Sequence, residues 1–202
     1  MMTAEPGLDL EHLREWIGRE DLAEDVVTAD LARKYHAMFD GAGSPPGPGD
    51  IVPRLIHFCL AQPAAPTAEL GADGHAARGG FLPPVPLPRR MWAGGRLVFE
   101  RPLRVGERVE RESTILSVDG KQGRSGTLVF VTVRHAYRAG GATALTEEHD
   151  IVYRDAKKPG DVDPPPAARP VSLLQAAISQ NARRAEAGQG VGLTGDLQGG
   201  GV

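Results

Sequence analysis

The feature that most constrains this chain is a two-residue period that sets in at residue 96 and runs to residue 153. Four stretches, 96–100, 107–118, 127–138 and 142–153, are rich in Val, Thr, Ile and aromatic residues. In the third, Leu128, Phe130, Thr132 and Arg134 alternate with Val129, Val131, Val133 and His135. Successive side chains of a strand point to opposite faces, so this alternation predicts strands. Val105-Gly106, Asp119-Gly120 and Gly140-Gly141 read as turns between them. The strands are long and sequential, which predicts an antiparallel meander.

Ahead of the strands the period is helical. Residues 8–17 carry Leu10, Leu13 and Ile17 at helical spacing with Trp16 beside them, and Gly18 reads as the C-terminal cap. Residues 28–39 open on Thr28 as N-cap and place Leu31, Tyr35, Met38 and Phe39 on one face. A Gly/Pro breaker spans 40–49. Residues 50–61 then predict a buried helix, with Asp50 as N-cap, Pro53 tolerated in the first turn, and Ile51, Leu55, Phe58 and Cys59 as its apolar body. Residues 62–90 form a connection rich in Pro, Gly and Ala, and a loop of that length inside a compact domain is often functional. One apolar helix and one antiparallel sheet predict an α+β layer fold.

Gly 26 and Pro 17 are high for a compact fold of 202 residues, and much of the excess lies after residue 156. Residues 157–202 therefore read as a Pro/Gly-rich linker and flexible tail, with a weak helix at 171–187. A net charge of -3 leaves no nucleic-acid footprint. The acidic N-terminus has no apolar core, and no run approaches a membrane span. The expectation is a cytoplasmic protein that binds neither membrane nor nucleic acid. The single cysteine, Cys59, permits no internal disulfide and reads as a small buried hydrophobe.

Residues 81–115, FLPPVPLPRRMWAGGRLVFERPLRVGERVERESTI, resemble the N-terminal domain of MaoC-like dehydratases. Within that family the match is to the branch of mesaconyl-CoA hydratases and type-2 hydroxyacyl-thioester dehydratases. Residues 16–40, 123–138 and 145–156 extend the resemblance in order, so that it covers 8–156. It implies a hot-dog fold, an antiparallel sheet wrapped round a central helix, here as a single half. It also implies an acyl-CoA or acyl-ACP thioester as ligand, and no cofactor. Members of this family hold two halves, and the second carries Asp-x-Asn-Pro-x-His, whose Asp and His activate water and move the proton.

This chain departs from that pattern where the chemistry lies. After the helix ending at Phe39 it reads Asp40-Gly-Ala-Gly-Ser-Pro45, without the Asn and His, and the full motif occurs nowhere. The catalytic second half is expected to be absent, through truncation, a frameshift or residence on another polypeptide. The resemblance thus implies the substrate-side half of a hydratase or dehydratase of 2-enoyl or 3-hydroxyacyl thioesters, inactive alone. The alternative is a non-catalytic subunit paired with a separate catalytic hot-dog chain. A thioesterase ranks last, because the segment 50–61 offers only Asp50 as a carboxylate. No catalytic residue and no metal cluster is assigned. Of the histidines, His57 reads as a core residue, His135 and His149 as sheet-face residues, and His12 and His75 as exposed. The candidate binding cluster is Arg89, Arg90 and Trp92, two guanidiniums for the phosphates of coenzyme A and an indole for its adenine. An unpaired sheet edge predicts a homodimer or a catalytic partner, with strands 127–138 and 142–153 as the contact.

Overall fold

The computed structural model describes residues 8–71, 74–123, 126–156 and 192–193. The expected tail helix, 171–187, lies outside them. Two α-helices, α1 (Leu10–Arg14) and α2 (Ala29–Met38), accompany strands β1 (Glu20–Val26), β2 (Arg89–Phe99), β3 (Arg108–Gly123), β4 (Gly126–Ala139) and β5 (Ala142–Arg154), with a short β6 (Gly192–Leu193). All pairings are antiparallel, in the order β1-β3-β4-β5-β2-β6. This is the expected α+β hot-dog architecture.

The meander holds for β3, β4 and β5. The last hairpin closes on Gly140 and Gly141, at φ +59° and +78°, which is the two-residue turn whose twist matches the strands and which favours glycine at both positions. Asp119-Gly120, expected as a turn, instead lies inside β3. A Cβ on Gly120 would meet Leu10 at 2.5 Å, so the glycine admits the close approach of α1. β2 begins at Arg89, within the expected connection, and lies beyond β5. β1 gave no strand signal because its apolar residues point outward: Leu22 is 75% exposed, while Asp21, Ala23 and Asp25 face in.

α2 matches its expectation, with the Thr28 hydroxyl accepting from the Leu31 amide at 3.1 Å. Its buried face is Ala32 and Tyr35, while Met38 and Phe39 are exposed. α1 is only five residues, started by Asp9, whose carboxylate accepts from the His12 amide. The buried helix expected at 50–61 is not formed. Val52 pairs its amide to the Leu103 carbonyl, and only Ile56–Cys59 turns, as a 3-10 element between left-handed Leu55 and Ala61. Pro53 and the extended pairing of Ile51 with Arg104 outweigh the apolar pattern. That turn directs Cys59 outward, so the cysteine expected in the core is exposed. α2 contributes Ala32 and Tyr35 to the apolar cluster against the sheet.

One sheet face is dry, in two patches. The first cluster joins Val27, Ala32, Tyr35, Ile56, Leu60 and their neighbours to Val109, Tyr137 and Leu145. The second joins Leu13 of α1 and Val85 and Leu87 of the long connection to Val118, Val129, Val131, Val133, Ile151 and Tyr153. The connection is pinned in place. Arg78 donates to the carbonyls of Val85, Leu87 and Pro88 at 2.6, 2.5 and 2.9 Å, and Trp16 and Arg19 both donate to the Gly80 carbonyl. Among the described residues no helix is long and apolar enough to cross a membrane.

Candidate functional site

Between the two apolar clusters a polar row crosses the same inner face. The register fixes it, because residues directly opposite one another point the same way. Asp21 pairs with Ser113, Ser113 with His135, His135 with Glu147 and Glu147 with Leu97. Arg111 lies in the adjoining row with Tyr137 and Leu145, and His149 in the row on the other side with Val133 and Gly95. The 3-10 turn lowers His57 onto this row.

The contacts are specific. His135 Nδ1 and Ser113 Oγ are 2.8 Å apart. Arg111 donates to the Asp21 carboxylate at 3.5 Å. His57 Nε2 lies 3.8 Å from Glu147 Oε2, and the His57 ring packs against Phe58, Tyr137 and Phe99. Neither ring nitrogen of His57 makes a hydrogen bond, although its side chain is only 1% exposed. The row is sealed at this end, with Ser113 and Glu147 buried. It opens toward His149, whose ring meets the exposed Trp92 edge-on at 6.4 Å.

Burial governs the charges. It raises the Glu147 carboxyl from 4.5 to about 7, with Arg111 pulling the other way. It lowers His57 to about 4. His135 falls to about 3 through burial first and then the charges of Arg111, His149 and His57. His149 is lowered by burial, with Asp150 opposing. Near neutrality the imidazoles are therefore uncharged, and the His57–Glu147 contact joins a neutral ring to a carboxyl close to half-protonation. A carboxyl in that range suits proton transfer. Glu147 is only 6% exposed, however, so a thioester carbonyl has no open path to it in this conformation. Among the described residues no group of three or more His, Cys, Asp or Glu could hold a metal.

The cluster expected on β2 is divided by the pleat. Arg90 and Trp92 lie opposite Tyr153 and Ile151 on the inner face, and Arg89 lies opposite Arg154 on the other. Arg89 reaches the Met91 sulfur at 3.7 Å, on that same outer side. A bulge between Trp92 and Gly94 turns the strand, and Trp92 leans over Gly95, where a Cβ would sit 3.6 Å from the indole nitrogen and 2.6 Å from the Glu148 carbonyl oxygen. His12 and His75 are exposed and His57 is a core residue, as expected. What the sequence reading missed is Glu147. It stands in phase with Leu145, Ile151 and Tyr153, so a charge at an inward position of an apolar alternation was its available signal.

The family model for hydroxyacyl-thioester dehydratase type 2 matches residues 55–183. A mesaconyl-C(4)-CoA hydratase of Chloroflexus aurantiacus is 42% identical over 158 residues, covering 78% of this chain and 55% of that protein. The chain thus spans about half the length of this curated relative. Among solved structures, a chain of the ChsH1-ChsH2 complex from Mycobacterium tuberculosis superposes with a TM-score of 0.53 at 15% identity, over 72% of this chain and 94% of that one. At that identity the likeness is one of fold.

Proposed function

Because the chain belongs to the hydroxyacyl-thioester dehydratase type 2 family, we propose that it is the substrate-side half of an acyl-thioester hydratase or dehydratase. Its ligand is a 2-enoyl or 3-hydroxyacyl thioester of coenzyme A or acyl carrier protein, and mesaconyl-CoA is the first candidate because the curated relative carries that name. The water-activating acid and base belong to a second hot-dog unit. The observation that carries this reading is the sealed polar row: the buried carboxyl and imidazoles have the chemistry of proton transfer but no access to a thioester carbonyl. The absence of Asp-x-Asn-Pro-x-His from the sequence supports the same division of labour.

A second reading, a non-catalytic subunit that pairs with a separate catalytic hot-dog chain, is favoured by the edge strand β2. Among the described residues, β2 is paired beyond β5 only at Leu97 and Val98, by β6, and it exposes Met91, Trp92 and Val98. β4 and β5, the strands expected to form the contact, are interior strands with both neighbours in place, so they cannot pair edge to edge. In either reading Arg90 and Trp92 take the phosphates and adenine of coenzyme A from the inner face, and Arg89 adds its charge from the outer one.

The test is turnover of crotonyl-CoA and mesaconyl-CoA by the purified chain, alone and with a hot-dog chain bearing Asp-x-Asn-Pro-x-His. No turnover alone and hydration with the partner is the expected result. Robust turnover by the chain alone would refute the division of labour.

A further inference from the structure

β2 has β5 on one side and the edge of the sheet on the other. The Glu100 amide donates to the Ala144 carbonyl at 2.9 Å, so the backbone groups of Glu100 face β5. In an antiparallel ladder both polar groups of a residue point to one side, and successive residues alternate. Val98 therefore also faces β5, and Leu97 and Phe99 turn to the edge. Leu97 is where β6 arrives: it lies opposite Leu193, and Val98 lies opposite Gly192. Leu97 and Leu193 thus exchange the amide–carbonyl bonds of this contact.

The same edge is complementary to itself. The bulge between Trp92 and Gly94 shifts the alternation by one residue, so Trp92 and Arg90 turn to the edge as Leu97 and Phe99 do. A two-fold axis that sets Leu97 of one copy opposite Trp92 of another matches these edge-facing groups. That register also sets Met91 opposite Val98, Arg90 opposite Phe99 and Arg89 opposite Glu100. Exposed apolar side chains then meet one another, and a cation meets an acid. Leu97 and Val98 cannot serve β6 and a second copy at once, because each edge-facing amide and carbonyl closes one ladder. β6 is the weaker holder: it is 2 residues long against the 11 of β2, and the chain from Arg154 to Gly192 has to close for it to pair.

We propose that Gly192–Leu193 is a guard strand, which occupies Leu97 and Val98 in the single chain and yields to the β2 edge of a second copy. It delays edge-to-edge association without abolishing it, and so manages the open ladder of β2 from within the chain. That association runs through β2 rests on the reading of that edge given above, whereas the pairing of β6 does not.

Backbone substitution in the full chain tests the guard. Leu193→Pro removes the amide that donates to Leu97, and β6 lies outside the β1–β5 ladder, so the core is spared. Leu193→Ala keeps the amide and is the control. At a dilution where the chain is monomeric, Leu193→Pro should speed exchange of the Leu97 amide about tenfold and leave that of Val98, which faces β5, unchanged. An edge guarded nine-tenths of the time weakens association by the same factor for each copy. Leu193→Pro should therefore lower the dimer dissociation constant about a hundredfold in sedimentation equilibrium, and Leu193→Ala should not change it. An unchanged Leu97 rate would show that β6 does not hold the edge. Equal association of all three proteins, weaker association of Leu193→Pro, or a monomer at every concentration in both forms would overturn the guard. None of these readouts involves turnover, so they stand apart from the hydratase assay.

Discussion

Glu147 and His135 sit opposite each other in one row, and burial drives their protonation in opposite senses. The folded chain holds the Glu147 proton up to about pH 7, whereas the unfolded chain releases it near 4.5. Its contribution to stability is therefore complete below 4.5, declines as pH rises to about 7, and is flat above. His135 and His57 behave inversely: the unfolded chain binds their protons below 6.5 and the folded chain resists to about 3 and about 4, so stability is lost as pH falls through that window. Each group contributes a slope of up to about 1.4 kcal/mol per pH unit. The imidazoles outnumber the carboxyl, so the chain should be more stable at pH 6.5 than at pH 5. Glu147→Gln removes the opposing slope and should steepen that difference, as read from urea midpoints at the two pH values; an unchanged or shallower difference would contradict the buried, protonated carboxyl. Arg78 is a second residue of this kind. Its guanidinium satisfies three carbonyls of the long connection and lies over the Tyr153 ring. Arg78→Ala should cost about 2–4 kcal/mol in urea denaturation, with Arg78→Lys recovering only part, because an ammonium lacks the planar fork.

Among the elements, α2 and β2 depend on single positions. The Thr28 cap satisfies one of the first orphan amides of α2, and Thr28→Ala should destabilise the chain by about 1 kcal/mol. β2 depends on Gly95, because any Cβ there lies 2.6 Å from the Glu148 carbonyl oxygen, a backbone atom that the β2–β5 ladder holds in place. Gly95→Ala should cost about 2 kcal/mol or more and speed amide exchange along β2 while sparing the β3–β4 pair. Equal protection in β2 of both proteins would show that the strand shifts to accommodate the methyl.

At the scale of the molecule, the sheet has two edges of different character. β1 carries Glu20, Asp21, Glu24 and Asp25 in seven residues, and such charge discourages edge-to-edge pairing. β2 is longer and exposes Met91, Trp92 and Val98. Self-association or partner binding should therefore use β2. Light scattering of the purified chain should give a mass above the monomer at tens of micromolar, and the double substitution Met91→Lys with Trp92→Lys should return it to the monomer without loss of cooperative unfolding. A monomer mass for the unsubstituted chain would show that β2 needs no cover.

By itself the sequence determined the strand-rich half of this fold. Alternation in 127–138 and 142–153 and the Gly140-Gly141 turn locate β4, β5 and their hairpin, because period and turn chemistry are local properties. Thr28 likewise marks the start of α2, since capping involves only four consecutive residues. The run 81–115 carried the family resemblance for the same reason, as an uninterrupted stretch of chain. Only the tertiary structure decided the rest. Residues 50–61 satisfy an apolar helical pattern but lie extended at Ile51 and Val52 because the segment after β2 offers them backbone partners. β1 became a strand because β3 needed an edge partner, in spite of side chains that face the wrong way. Arg89 was parted from Arg90 and Trp92 by the pleat, which adjacency in sequence conceals. The polar row is the clearest case: Asp21, Ser113, His135 and Glu147 come from four strands, and only strand register, a long-range property, sets them side by side.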